Sequence, residues 1–322
     1  MKQKLSKKQA VTRFHKPVIT IDEILDTFKE GRKDYYDYMF ALDSNMSPAK
    51  IAEELERNIN TIKNWIKGKS TPKIFQTIEV LEFNNLIPLY SDNQRFAAIN
   101  LLSSFLFWSG CIDGSFTGTY NIGRDIKGDV EDIIKKELGI IAKPSYKNSP
   151  KHINQIRLAD NGSAYSRLIH CMGVPKSGNG NNGKRDRKTR TKLIVPAYIR
   201  EISAVLPRLE NEEKEKAQLI MDDFIRVLIY SRGNHNGHSY LEIELIANKQ
   251  RSYAYAFGRQ VLNIFKKNYP LSWIDDESLR INPHQRRKNY HPRIVIKREN
   301  WECINEHYPH LLDIKKSPLF QS

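Results

Sequence analysis

The stretch FLFWSGCIDGSF, residues 105–116, closes an apolar run with an isolated acidic residue. Asp113 stands directly before a glycine, and the side chains before it become small at Ser109 and Gly110. The apolar run predicts a helix that continues to Ile112. Two interpretations of Asp113 follow: it is the carboxylate of an active site, or it only marks the end of the helix.

Two other stretches concentrate positive charge. Residues 176–192, KSGNGNNGKRDRKTRTK, contain seven Lys or Arg residues against one acid, and residues 280–298 contain seven and no acid. Lysine and arginine neutralise the phosphates of nucleic acids. We therefore predict phosphate contacts by the basic residues Lys184, Arg185, Arg187, Lys188, Arg190, Arg286, Arg287 and Lys288. His284 and His291 have no acid or cysteine close by in the sequence, so no metal site and no cofactor are predicted there.

The whole chain is basic. Its 322 residues carry 52 Lys and Arg against 37 Asp and Glu, a formal net charge of +15. Such an excess is typical of a polyanion partner. The most apolar window, residues 97–112, is too short and too polar to span a membrane. Three scattered cysteines and the lack of an apolar leader favour a cytoplasmic, nucleoid-associated protein without membrane contact.

Residues 47–68 have the pattern of a helix-turn-helix. Ser47-Pro48 begins one short helix, a break follows near Glu56-Arg57, and Gly68 ends a second helix. The usual motif has glycine in this turn, so a left-handed residue here is strained or absent. An ordinary helical hairpin is the alternative. For a DNA-binding second helix, we predict base contacts by Asn60, Thr61, Lys63 and Asn64, and phosphate contacts by Lys67 and Lys69.

From about residue 96, the order helix, strand, helix, strand, strand, helix occurs twice, at an offset of roughly 120–140 residues. The order leaves room for one further strand in each unit. In the first unit, a polar strand face predicts nucleic-acid contacts by Thr117, Thr119 and Asn121. In the second, two registers stay open, with either Tyr240, Glu242 and Glu244 or Leu241, Ile243 and Leu245 on that face.

These motifs resemble a known family. The region from about 96 to 318 is similar to single-chain LAGLIDADG proteins of the homing-endonuclease class: FWSGCIDGSF resembles the signature helix, and INQIRLADNGSAYSRLIHCMGVPK and KLIVPAYI resemble the segment that closes the first repeat. A helix-turn-helix in front also occurs among archaeal members. The resemblance implies an α+β protein: an N-terminal all-α helix-turn-helix domain, then a duplicated αββαββα LAGLIDADG saddle. The implied domains are 1–92, 93–207 and 208–322, in a monomer with an internal pseudo-two-fold axis.

The resemblance also implies which acidic residues cleavage would need. The family's two signature helices pack at small residues, and each supplies one acid that holds the divalent metal ions for phosphodiester cleavage. In the second motif, FIRVLIYSRGN, Arg232 takes the metal-binding position and Tyr230 the other acid position. In the first, a gapless alignment puts Ser115 at the metal position, whereas one dropped residue puts Asp113 there. At most one of the two acids remains, so Asp113 is a vestigial candidate.

We therefore predict a sequence-specific, non-cleaving protein that binds double-stranded DNA, transcriptional or chromosome-associated in role. Arg232 then lies near a phosphate, or it is only a solvated charge at a helix end. Two alternatives stay open. An active endonuclease or nickase would need Mg²⁺ and a second acid from Asp222, Asp223 or Glu242. An RNA-binding maturase would use the same basic surface on structured RNA.

Overall fold

The computed structural model describes residues 6–145, 154–159, 161–176, 193–235, 240–269, 276–284 and 289–321. It is an α+β protein, with an N-terminal helical region followed by two four-stranded antiparallel sheets and interleaved helices. The chain forms two compact units, one of residues 19–89 and one of residues 1–18 with 90–322. In the described ranges, no helix is long and apolar enough to cross a membrane.

In the described part of the chain, six helices precede the first repeated unit. Their bounds are α1 Lys7–Phe14, α2 Ile21–Leu25, α3 Gly31–Asp43, α4 Pro48–Glu54, α5 Ile59–Ile66 and α6 Lys73–Phe83. Helices α2 to α6 make up the 19–89 unit. Pro48 is the first residue of α4, and Gly68 follows α5 in the left-handed conformation at φ +64°. The predicted start and stop of the two-helix motif are therefore confirmed.

Apolar side chains hold α3, α4 and α5 together in the 19–89 unit. The shared core consists of Tyr38, Ala41, Ile51, Ala52, Ile62 and Trp65. The turn between α4 and α5 is tied to α3 by Arg57, which donates to Asp37 at 2.8 Å and to Asp34 at 2.7 Å. A bridged arginine of this kind fixes the turn more firmly than one surface ion pair does.

Glu56 supplies the left-handed residue of this turn, at φ +52°. The Glu56 N–H donates to the Glu53 carbonyl at 3.2 Å, and the Arg57 N–H donates to the Ala52 carbonyl at 2.9 Å. These two bonds define a Schellman cap, whose left-handed position is usually glycine. The left-handed residue of this turn is thus present, and it is a strained glutamate.

Each sheet belongs to one unit of a repeated αββαββα order. The first unit comprises α7 Phe96–Trp108, β1 Cys111–Ile112, β2 Gly118–Asn121, α8 Lys127–Leu138, β3 Ala142–Pro144, β4 Gln155–Leu158 and α9 Gly162–Cys171. After α10 (Ala197–Val205), the second comprises α11 Asn211–Arg232, β5 Gly233–His235, β6 Tyr240–Glu244, α12 Arg251–Asn268, β7 Leu279–His284, β8 Asn289–Lys297 and α13 Arg298–His307. The strand orders, β1-β2-β4-β3 and β5-β6-β8-β7, are the same. The extra strand of each unit is β1 or β5.

Helices α7 and α11 pack against each other in the centre of the larger unit. Nearly all of α7 is buried, including the polar residues Asn100, Ser103 and Ser104. Asn100 Nδ2 donates to the Ile220 carbonyl at 3.1 Å, and its Oδ1 accepts from the Tyr198 hydroxyl at 2.8 Å. These bonds satisfy an amide that would be costly to bury alone, and they fix how α7 lies along α11.

The structure also decides the register of β6. Leu241, Ile243 and Leu245 are buried, so Glu242 and Glu244 lie on the opposite face of the second sheet. In β2, Tyr120 is buried while Thr119 and Asn121 lie on the less buried face. Each sheet thus has one apolar face toward the helices and one polar face away from the core.

Replacing Glu56 with glycine should stabilise the 19–89 unit by about 0.5–1 kcal/mol, because glycine adopts a left-handed φ without the side-chain penalty. Hydrogen exchange of the α5 backbone amides in the full chain measures this, and protection should rise. Glu53→Gly, at an exposed position inside α4, is the matched control and should cost about 1 kcal/mol. Equal losses of protection in both variants would contradict the strained cap.

Candidate nucleic-acid interface

Arg232 is the last residue of α11, and it reaches across to the end of α7. Its Nε donates to the Trp108 carbonyl at 2.8 Å, and its Nη2 donates to the same oxygen. Helix carbonyls at a C-terminus carry partial negative charge, so a cation is favourable there. Burial lowers the pKa of Arg232, and Glu244 partly opposes the shift. The guanidinium therefore links the two central helices from a half-buried position.

Tyr230, two residues earlier, makes a second link between the repeated units. Its hydroxyl donates to Asp125 Oδ1 at 2.6 Å, and its ring meets that of Phe105 edge-on. Burial raises the pKa of the Tyr230 hydroxyl, so it remains a donor at neutral pH. A side chain at Gly123 would overlap this hydroxyl. Tyr230 and Arg232 thus both donate hydrogen bonds to the first unit.

Asp113 lies in the turn between β1 and β2, five residues beyond the end of α7. The helix expected to continue to Ile112 ends at Trp108, where Ser109 Oγ donates back to the Phe105 carbonyl at 3.1 Å. Asp113 Oδ1 accepts from the backbone N–H of Ser115 and Thr117 at 2.9 and 2.8 Å, and from Ser115 Oγ at 2.7 Å. The prediction of a helix-end residue was wrong, because this exposed carboxylate organises a hairpin turn.

Each of the three acids that an active endonuclease would need as a replacement already has a partner. Asp222 and Asp223 are buried in α11, roughly 13–15 Å along the helix from Arg232. Asp222 accepts from the Tyr269 hydroxyl at 2.7 Å, and Asp223 pairs with Arg226. Glu242 is paired with Arg293 across the second sheet. Within the described parts of the chain, no group of three or more His, Cys, Asp or Glu side chains could hold a metal ion.

The polar face of the first sheet is basic. Asn121 pairs with Gln155 across β2 and β4, and Lys143 pairs with Arg157 across β3 and β4. Lys143, Arg157 and Asn121 are exposed, and Thr119 is half-buried. Thr117 is half-buried in the turn before β2. Arg157 and Lys143 were missed by the sequence analysis, although their alternation with the buried Ile156 and Leu158 was a usable signal.

The polar face of the second sheet carries both positively and negatively charged side chains. Arg293 pairs with Glu242 and lies 3.9 Å from Glu244, whose other oxygen contacts His291. These residues alternate with the buried Ile294 and Ile296 along β8 and with Leu241 and Ile243 along β6. The two sheets therefore have the same strand order and different surface electrostatics: the first exposes Lys143 and Arg157, and the second pairs Arg293 with Glu242.

The residues predicted as contacts on and after helix α5 lie mostly at its exposed surface. Ile62 and Trp65 face the core, while the residues Asn60, Lys63, Asn64, Lys67 and Lys69 are exposed and Thr61 is half-buried. No carboxylate interrupts this side of α5 itself. The amides and ammonium groups are thus available to base edges and phosphates, as in helices that enter a major groove.

Eight predicted phosphate contacts lie outside the described residues: Lys184, Arg185, Arg187, Lys188, Arg190, Arg286, Arg287 and Lys288. They stay predictions from sequence. Comparisons with protein-family models, with curated proteins and with solved structures gave no match.

Asp223 supplies a pH test of the α11 core. Burial raises its pKa from 3.8 to about 6, against the opposing effect of Arg226. Because the neutral form is favoured in the folded chain, its contribution to stability is largest below about pH 4 and falls as pH rises to about 6, by on the order of 3 kcal/mol. Urea denaturation measures the free energy of unfolding of the wild type and of Asp223→Asn across this range. The value for the wild type minus that for the variant should fall as the pH rises. A difference that rises with pH would contradict the assignment.

Proposed function

We propose that this chain is a sequence-specific protein that binds double-stranded DNA without cutting it. In this proposal, the two αββαββα units are a LAGLIDADG-like saddle derived from a homing endonuclease, and the 19–89 unit contributes a helix-turn-helix. The single observation that carries the proposal is the end of α11. Tyr230 and Arg232 hold the positions where the family has acids, and both donate hydrogen bonds to the first unit.

The chemistry of those donors argues for binding without cleavage. Two-metal phosphodiester cleavage needs anionic oxygens at both ends of the scissile site. A guanidinium has five N–H donors and no acceptor, so Arg232 cannot coordinate a cation. The Trp108 carbonyl oxygen already accepts a hydrogen bond from Arg232, and the positive charge of Arg232 repels Mg²⁺ from that oxygen. Asp113 is committed through Oδ1 to the β1–β2 turn.

The surface chemistry supports nucleic acid as the partner. The first sheet presents Lys143 and Arg157 beside amide and hydroxyl groups that can reach base edges, and the exposed side of α5 presents Asn60 and Asn64. The net charge of +15 gives the non-specific attraction on which such readout depends. The unequal sheets favour unequal half-sites, with the first sheet contributing more phosphate affinity. A role in transcription or at the chromosome fits a binder of this kind.

A cleavage assay tests the central part of the proposal. A supercoiled plasmid that carries a site selected from random duplexes should be bound and stay supercoiled with Mg²⁺ or Mn²⁺, because only one motif retains an acid. Specific nicking or linearisation that disappears in Asp113→Asn would replace the proposal with an active endonuclease. A preference for structured RNA over the selected duplex would instead indicate a maturase.

A pair of variants on α5 tests the helix-turn-helix. Asn64→Ala should weaken binding to the selected site by roughly 1–3 kcal/mol and leave random duplex almost unchanged, because an asparagine that contacts a base edge contributes to sequence discrimination. Lys67→Ala, its neighbour on the same exposed side, should weaken both duplexes alike because it meets phosphate. Fluorescence anisotropy with the two duplexes measures both effects. Equal losses in Asn64→Ala would show that Asn64 does not contact bases.

A further inference from the structure

Phe116 is held in an unfavourable conformation in the β1–β2 turn. Its N–H donates to the Asp113 carbonyl at 3.1 Å, and the Asp113 N–H donates to the Thr117 carbonyl at 3.0 Å. These bonds define a hairpin with a three-residue loop whose last position is left-handed, which favours glycine. Phe116 occupies that position at φ +61° and is buried. A bulky residue there persists only when its surroundings hold it.

Two cations lie against the Phe116 ring. The guanidinium carbon of Arg167, on α9, is 3.9 Å from the ring centroid, and Lys176 Nζ is also 3.9 Å from it. The His170 ring meets Phe116 edge-on at 5.5 Å. Arg167 is only 6% exposed, whereas Lys176 is half-buried. The aromatic face attracts both cations, so the strained phenylalanine keeps two like charges close together.

The electrostatics of this cluster favour an added anion. Burial lowers the pKa of Arg167 to about 10. Burial, and then the positive charge of Arg167, lower the pKa of Lys176, while Asp113 acts in the opposite direction. Asp113 already uses Oδ1 for three bonds within the turn. An anion that reaches Lys176 therefore meets the positive potential of Arg167 as well as the charge of the ammonium group itself.

The position of Lys176 in the chain indicates which anion arrives. Lys176 pairs through its backbone with Ile112 and is the first of the seven Lys and Arg residues in the basic stretch 176–192. A polyanion drawn to that stretch brings successive phosphates to its first residue. Phosphate oxygens accept charge-assisted bonds from ammonium and guanidinium groups, and such bonds are stronger than neutral ones.

We propose that Phe116, Arg167 and Lys176 form a phosphate clamp that takes one phosphodiester group of bound nucleic acid. Lys176 makes the direct contact, and the buried Arg167 adds positive potential behind it. The Phe116 ring holds both side chains in place before the ligand arrives. That the phosphate belongs to nucleic acid rests on the function proposed above, whereas the affinity for phosphate does not.

Two measurements on the full chain test the clamp. In the wild type with ¹³Cε-labelled lysine, inorganic phosphate at constant ionic strength should shift the Lys176 signal where chloride does not. In duplex binding, Lys176→Gln should lower the slope of log K against log salt by about 0.9, because one phosphate contact is lost. Lys135→Gln, on the exposed side of α8, removes the same charge and should leave the slope unchanged.

Phe116→Leu tests the aromatic face separately, since leucine keeps apolar bulk and loses the cation attraction. It should reduce the phosphate-induced shift of Lys176. The clamp would be overturned if Lys176→Gln left the slope of log K against log salt for duplex binding unchanged. It would also be overturned if the ¹³Cε signal of Lys176 responded to neither phosphate nor duplex. Absence of duplex binding by the wild type together with a phosphate-induced Lys176 shift would overturn the proposed function and leave the phosphate site standing.

Discussion

The contact between α7 and α11 is the interaction on which the larger unit depends. Each helix donates to carbonyls of the other: Trp108 Nε1 bonds the Phe224 carbonyl at 3.2 Å, and Arg232 bonds the Trp108 carbonyl at 2.8 Å. Removing one partner would leave a buried polar group unsatisfied, which costs more than the bond contributes. Strand β5 follows α11 directly, and β1 follows α7 after two residues. The position of both sheets is therefore coupled to this one contact.

The side chains at the contact between α7 and α11 also bear on whether a metal ion could bind there. The end of α11 carries a phenol and a guanidinium, and neither is a metal ligand of the kind that Mg²⁺ prefers. The first sheet keeps its cations exposed, while the second pairs Arg293 with Glu242. The two units thus share their strand order and differ in the side chains on their polar faces. Under the proposed function, the two halves of a bound duplex would therefore meet different side chains.

Local signals in the sequence were enough to predict part of this structure. The Ser47-Pro48 start and the Gly68 stop act through the backbone of neighbouring residues, so they were predictable, as was the twice-repeated order of elements. One further strand in each unit was expected, but β1 and β5 could not be located because two or three residues show no alternation. The early end of α7 depends on Ser109 bonding back to Phe105 and on β1 pairing with β2, which are tertiary effects. The partners of Arg57, Tyr230 and Arg232 are distant in sequence, so residue type alone did not indicate their roles.

Binding without a metal ion is the central claim, and affinity measured with and without a chelator tests it most directly. Fluorescence anisotropy of a selected duplex should give the same Kd in EDTA and in millimolar Mg²⁺ at matched ionic strength, because a guanidinium and lysine side chains supply the positive charge. Binding that is lost in EDTA and restored by Mg²⁺ would contradict the account, since it would place a divalent cation where Arg232 now bridges α11 to α7.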